Sequence, residues 1–344
     1  MKALAVGLHF LESLPDPQEK GHWESLGGRP AYRLPTDLPG PRAQALLEVF
    51  WDRWGATLAA HRPAAVVMAS ARGDMEAFLQ GYETWKAQKR VAPTFSPDTT
   101  LGTLATWVAH RVRCEGPAWT VSQTCVSGFY ALQCALLWHQ LHPTQKVLFG
   151  AVETPLVPFF VEAMAALRIY SARTTPPYSL PGTGQNTLAL GEAVALGIIG
   201  PLPAPFVITH LFTGTALPQP GQAYTAVAQT PLEHLLRQLG TTPPDFILLH
   251  APGTRQGDKT EWEAVQAVWG PLPALSIKGE VGHSLGAAPL VALRWAAYLL
   301  KGGPWPARQY EPFWPTEPPS RRREAVVVAL GFGGVMGALR IRRA

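Results

Sequence analysis

Short apolar runs alternate with helix-length amphipathic stretches along almost the whole chain. That alternation limits the possible folds more than any other feature. The runs A-A-V-V-M (64–68), K-V-L-F-G (146–150), D-F-I-L-L-H (245–250) and A-V-V-V-A-L (325–330) are nearly free of interior polar residues. A strand apolar on both faces must be covered on both faces, which calls for helices above and below a sheet. Further strands are predicted over 2–10, 119–122, 188–199, 206–211, 274–276 and 338–341. Helices are predicted over 41–60, with Pro41 suited to a first turn, and over 74–88, 100–113, 125–140, 155–168, 223–239, 258–269 and 282–300. Residues 170–187 read as a Pro/Gly/Thr loop. The class is therefore α/β.

An internal echo suggests duplication. T-C-V-S-G-F-Y-A-L-Q-C-A-L-L (from Thr124) and G-H-S-L-G-A-A-P-L-V-A-L-R-W (from Gly282) each place a reactive residue near a helix start. In each, a glycine follows three residues later and a leucine seven later, and a strand comes next. Two similar halves, 1–220 and 221–344, are expected.

Charge and cysteine usage narrow the function classes. The net charge is +5, and the last 24 residues supply it through six arginines and Glu324. The rest is neutral, so a chain-wide nucleic-acid footprint is absent and no nucleic-acid partner is expected. The arginine-rich end is read as a solvated surface. Three cysteines without C-x-x-C spacing argue against a disulfide framework or a structural metal. The longest apolar stretch, 188–209, contains Glu192 and three prolines and reads as strands and a turn, not a membrane span. The N-terminal run reads as a strand, not a leader. A cytoplasmic protein is expected.

Four places carry chemistry. Cys125 stands at a predicted helix N-terminus, where free N–H groups and the helix dipole favour thiolate. Small neighbours, Ser127 and Gly128, leave room for a substrate. The bland alternative is a buried cysteine packed as a small hydrophobe, the role assigned to Cys134. His250 ends an apolar strand, where α/β sheets meet ligands. His283 lies between glycines, five residues after Lys278. G-H-S-L-G also fits a nucleophile elbow with Ser284, but none of the ten histidines follows Ser284, so that triad order cannot be completed. G-F-G-G (331–334) ends a strand and could present a backbone N–H to an oxyanion.

Together these segments resemble the β-ketoacyl synthases, condensing enzymes of the thiolase fold. G-P-A-W-T-V-S-Q-T-C-V-S-G is similar to the family's nucleophile segment. L-F-G-A-V-E-T-P is similar to its A-G-G-x-E strand, and L-A-L-G-E-A-V-A-L to its G-E-G-A-G strand. H-A-P-G-T-R-Q-G-D-K-T-E is similar to H-G-T-x-T-x-x-G-D-x-x-E. S-I-K-G-E-V-G-H-S-L-G-A-A and L-G-F-G-G complete the order over 117–341. The resemblance implies two halves in a five-layered αβαβα stack. It makes Cys125 the acyl-accepting nucleophile and His250 and His283 the two histidines. It makes Lys278 the support of the second histidine, and Asp258 and Glu261 the acids after the first. Phe332 becomes the gating phenylalanine, its N–H completing an oxyanion hole beside Gly333. Thr254 becomes a pantetheine-binding threonine, while Pro252 replaces the other one and Ala251 replaces a glycine.

The implied activity is acyl transfer to Cys125, then decarboxylative Claisen condensation with a malonyl thioester, in fatty-acid, polyketide or polyene synthesis. No cofactor is implied; substrates ride on the phosphopantetheine of an acyl carrier protein or on coenzyme A. A homodimer, or a heterodimer with a ketosynthase-like subunit, is expected through the strand near 117–122. The alternatives are an acyltransferase on the same fold that does not decarboxylate, and a partner subunit of another ketosynthase. On this reading acylation needs no imidazole, because the helix dipole alone favours the thiolate.

Overall fold

The computed structural model describes residues 5–18, 21–216, 228–307 and 309–344. The predicted helix over 223–239 lies partly outside them. The first half runs β1 (Val6–Leu14), β2 (His22–Leu26), β3 (Arg29–Arg33), α1 (Arg42–Ala60), β4 (Ala65–Ala69), α2 (Met75–Gln88), α3 (Phe95–Asp98), α4 (Gly102–Val112), β5 (Ala118–Val121), α5 (Ser127–Leu141), β6 (Val147–Glu153), α6 (Pro158–Ala165), β7 (Leu190–Gly191) and β8 (Ala193–Gly200). The second runs β9 (Phe206–Thr215), α7 (Gln229–Gln238), β10 (Phe246–Leu248), α8 (Arg255–Trp269), β11 (Ala274–Leu275), α9 (Lys278–Val281), α10 (Ala288–Leu300), β12 (Glu324–Gly331) and β13 (Val335–Arg343).

The ten main strands lie in the order β11-β10-β12-β13-β9-β1-β8-β6-β4-β5. Outward from the β1–β9 junction, the two sets of five mirror each other. In each set the first strand pairs antiparallel with the fifth, the fifth antiparallel with the fourth, and the second lies parallel to both fourth and third. Three residue pairs join the sets, Val6–Ile208, Gly7–Val207 and Leu8–Phe206. β9 pairs with β13 along its length and holds the first position of the second set. We therefore divide the halves between Gly200 and Phe206. A division at 220/221 would leave β9 with strands it meets at only those three pairs.

The echoed helices occupy equivalent positions. α5 and α10 each connect the third strand of a set to the fourth, and they pack on one another. α5 touches β4 and β6 of the first set and β9 of the second; α10 touches β12 of the second and β1 and β8 of the first. They form the middle of an αβαβα stack, with α1 and α4 outside the first set and α7 and α8 outside the second. Strand periodicity shows in β12. Ala325, Val327 and Ala329 join the core shared with α5 and α10, whereas Val326, Val328 and Leu330 join a second core under α7 and α8.

Several local expectations change. The helix predicted over 282–300 begins only at Ala288, because α9, a one-residue β-bridge from His283 to Leu190 and a single 3₁₀ turn come first. A hairpin of β2 and β3 stands where no strand was expected. Its two-residue turn is Gly27-Gly28, with φ of 61° and 80°, the left-handed region that suits such hairpins. The arginine-rich end is only partly solvated: Arg340 is buried and donates to Leu239 O, Thr242 O and Glu324, and Arg321 pairs with Asp245. No helix among the described residues is long and apolar enough to cross a membrane.

A Cβ added at Gly128, on the first turn of α5, would stand 2.8 Å from Leu290 Cγ and 2.9 Å from Gly286 O. The backbone oxygen cannot move without shifting the His283 turn. Gly128→Ala should therefore destabilise the fold by about 1–3 kcal/mol despite alanine's better helix propensity. Urea denaturation checks this.

Candidate active site

Cys125 sits in a tight turn between β5 and α5, two residues before the first helical residue. Thr124 before it has φ of 46°, rare for a β-branched residue. The Ser127 hydroxyl holds this turn by donating to Thr124 O at 2.6 Å and accepting from Gln123 N at 2.7 Å. The end of β12 lies against the same turn, since a Cβ on Gly331 would collide with Thr124 Oγ1 and come within 3.3 Å of Cys125 N.

The middle layer brings the second half to the thiol. His283 Nε2 lies 3.2 Å from Cys125 Sγ. The His250 ring meets that of His283 edge-on, with centroids 5.1 Å apart and planes at 87°. Both histidines and the cysteine are under 8% exposed. The structure thus gathers Cys125, His250 and His283 at one point, with Phe332 beside them. Gly333 is not among the residues lining the cavities at Cys125; it takes φ of 83° in the turn between β12 and β13.

Glu261 and Lys278 act on His250 through its backbone. Glu261 accepts the His250 N–H at 2.6 Å and the Ala251 N–H at 2.7 Å. The Lys278 ammonium donates to the His250 carbonyl. Lys278 therefore fastens the first histidine, where the resemblance implied support of the second. Burial pushes the Glu261 carboxyl up and the Lys278 ammonium down, and each charge favours the other's ionised form. Asp258 closes the first turn of α8 by accepting from Thr254 N at 3.0 Å, and it accepts from Gly182 N at 2.8 Å. Burial pushes its carboxyl up to about 6.

Electrostatics revise the expected thiolate. Burial pushes the Cys125 thiol up to about 12, and the nearby Glu153 carboxyl adds to that; Lys278, Arg72 and the cysteine's own N–H oppose it. A turn two residues short of the helix, closed off from solvent, loses more by desolvation than it gains from the dipole. The resting group is a thiol. Burial, reinforced by Lys278, holds both histidines well below 6.5. They are neutral at pH 7, so His283 Nε2 can accept the thiol proton.

Two cavities meet at Cys125. One, about 350 Å³, is lined by Leu188, Pro252, Thr254, Gln256, His250 and Phe332, among others. The other, about 300 Å³, is lined by Arg72, Gln123, Thr124, Phe160, Met164 and Phe332. Phe332 and Met164 stand at the boundary of both. Thr254 Oγ1 donates to Asp258 at 3.3 Å, which leaves its lone pairs for a ligand N–H. A larger cleft of about 790 Å³ lies among Arg321, Arg323, Arg342 and Arg343, at the opposite ends of β12 and β13, and holds none of these groups. The sequence places Glu153 only inside the A-G-G-x-E-like run without a role, and nothing in it singles out Arg72. The acid in the run V-L-F-G-A-V-E was the available signal for Glu153.

Family models for the beta-ketoacyl synthase N-terminal and C-terminal domains match residues 40–203 and 213–309. The chain belongs to the β-ketoacyl synthase family. It is 27% identical over 268 residues to the actinorhodin polyketide putative beta-ketoacyl synthase 1 of Streptomyces coelicolor, a match covering 69% of this chain and 57% of that protein. It is 28% identical over 269 residues to the tetracenomycin polyketide synthase ketoacyl synthase alpha subunit of Streptomyces glaucescens, covering 69% of this chain and 62% of that one. The matched region thus spans about three fifths of these relatives. The fold is that of a chain in the complex of the ketosynthase ApeO with its chain length factor ApeC from Xenorhabdus doucetiae, with a TM-score of 0.82, 18% identity and coverage of 99% of this chain and 98% of that one. It also matches the AntDE:AntF complex, a type II acyl-carrier protein with its ketosynthase, with a TM-score of 0.81, 16% identity and full coverage of both chains.

Glu261→Gln should leave a buried N–H of His250 or Ala251 facing an amide NH₂. A stability loss of roughly 1–3 kcal/mol is expected, measured by urea denaturation.

Proposed function

We propose that the protein is a condensing enzyme that takes an acyl group onto Cys125 and extends it with a malonyl thioester. The 3.2 Å contact between Cys125 Sγ and His283 Nε2, with His250 edge-on beyond it, carries this reading. A chain acting only as a partner subunit has no need of a thiol, a neutral base and a second imidazole at one point.

In the first step His283 Nε2 takes the thiol proton as sulfur attacks the incoming thioester. The tetrahedral oxyanion finds the N–H groups of Cys125 and Phe332, and the proton leaves with the departing thiol. In the second step a malonyl thioester loses carbon dioxide. Imidazole N–H groups of His250 and His283 hold the enolate oxygen, and its carbon attacks the acyl-cysteine; the carbon–sulfur bond breaks, releasing the β-ketoacyl thioester and a Cys125 thiolate that takes up a proton from water to restore the thiol. The 350 Å³ cavity suits a pantetheine arm, with Thr254 accepting an amide N–H and Pro252 unable to donate in return. The 300 Å³ cavity beyond Phe332 suits the acyl chain.

An acyl carrier protein would deliver both thioesters. A second ketosynthase-like subunit fits against β5, which is the outer strand of the sheet and only half-buried. Next in the chain after β4, α2 exposes Phe78, Tyr82 and Trp85. Free edge backbone and exposed aromatics on neighbouring segments favour a covered surface.

Intact-mass measurement after incubation with acyl- and malonyl-carrier protein tests the reading. Cys125→Ala should abolish the acyl-enzyme and leave malonyl decarboxylation. His250→Ala should keep acylation and slow decarboxylation by roughly 100- to 1000-fold. His283→Ala should slow both steps, since the buried thiol needs a base. Full acylation by His283→Ala would exclude that base, and a wild type that transfers acyl groups without releasing carbon dioxide would favour the simple acyltransferase.

The histidines also set a pH dependence. Their ordinary value is 6.5, and the folded protein holds them well below it. The unfolded chain therefore binds these protons first as pH falls. Stability should be intact above about pH 6.5 and decline below it, while activity should stay level until well under that pH. Thermal midpoints and initial rates across pH 4.5–7.5 check both.

A further inference from the structure

The chemistry above makes no use of Glu153, a fully buried acid behind the nucleophile. It closes β6. Its Oε1 accepts N–H bonds from Ala71, in the turn after β4, and from Gly286, three residues beyond His283, at 3.2 Å. Its Oε2 has no hydrogen-bond partner. A Cβ added to Gly286 would stand 2.6 Å from Oε1, 2.9 Å from Ser127 Cβ and 3.0 Å from Ala71 N. Three segments therefore meet at this carboxyl: the turn after β4, the turn carrying His283, and the first residue of α5, two beyond Cys125.

We propose that Glu153 is a positioning residue for the Cys125–His283 pair, fastening the His283 turn behind the thiol as a neutral acid, because a negative charge there would oppose the thiolate. The proposal rests on Cys125 as nucleophile. A buried carboxylate with one oxygen lacking any donor is costlier than the neutral acid. Burial accordingly pushes this carboxyl up to about 8, against the N–H groups of Ala71 and Gly286, the Ser70 hydroxyl and the Arg72 guanidinium. The charged and titratable groups around the thiol come from three directions. Arg72 approaches from the turn after β4, Lys278 from α9 and His283 from the bridged residue that follows it. Arg72 and Lys278 favour the thiolate, and an ionised Glu153 disfavours it.

The test is the pH profile of Cys125 alkylation by iodoacetamide from pH 6 to 10, read by mass mapping of the peptide containing Cys125. Alkylation needs no acyl or carrier substrate, so its outcome is separate from that of the condensation assay. The wild-type rate should climb with pH and bend downward near pH 8, as Glu153 ionises. Glu153→Gln keeps an acceptor at Oε1 and loses the charge, so the bend should shrink and the rate at pH 9.5 should rise about tenfold. Lys278 also titrates near pH 8. A smaller bend from Lys278 should remain in Glu153→Gln; a bend undiminished there would assign it wholly to Lys278 and overturn the proposal, and an unbent wild-type profile would overturn it without any variant. Glu153→Ala removes the fastening as well, so at pH 7 it should alkylate and acylate at least about tenfold more slowly than Glu153→Gln. Equal rates for the two variants would show that the carboxyl positions nothing.

Discussion

The close approach of α5 and α10 is the contact on which the site depends. Gly128 lets the first turn of α5 settle against Leu290 and the backbone of Gly286. Gly286 belongs to the turn that carries His283, and Gly128 follows Cys125 by three residues. The same packing that fills the middle layer therefore sets the distance from sulfur to imidazole. Buried apolar surface and one missing side chain hold that distance, together with the bridge that ties His283 to Leu190.

Around that contact the polar groups divide their work. Ser127 fixes the strained turn before the thiol, while Glu261 and Lys278 fix the backbone of His250. None of them has to touch a reacting atom. Their burial is costly, and each is satisfied by a backbone partner, as buried polar groups in folded proteins generally are. The resulting interior is dry enough to keep both imidazoles neutral and the thiol protonated. Nucleophile activation is then a matter of proton transfer to His283, not of a standing thiolate.

Duplication explains how one chain builds such a site. Each half contributes the turn between its third strand and the helix that follows, and the pseudo-symmetric stack points these turns at one another. The first half's turn carries a thiol; the second half's carries an imidazole. The strand ends of β10 and β12 add His250 and Phe332 from the same side.

The sequence by itself determined the class of fold, the pairing of the two halves and the residues that converge. Apolar runs such as A-A-V-V-M and A-V-V-V-A-L demand cover on both faces, and ordered motifs around Cys125, His250 and His283 mark one site. It also pointed to the echo between α5 and α10, because glycine and leucine recur at fixed offsets from the reactive residue. Tertiary structure decided what composition and spacing cannot encode. β9 belongs to the second half because of the strands it pairs with, not because of its own residues. Lys278 hydrogen-bonds the backbone of His250, since the fold puts its ammonium at a carbonyl 28 residues away in sequence. Most of all, the helix dipole alone does not set the thiol's protonation. Desolvation depends on every atom packed around a group, and those atoms come from distant parts of the chain.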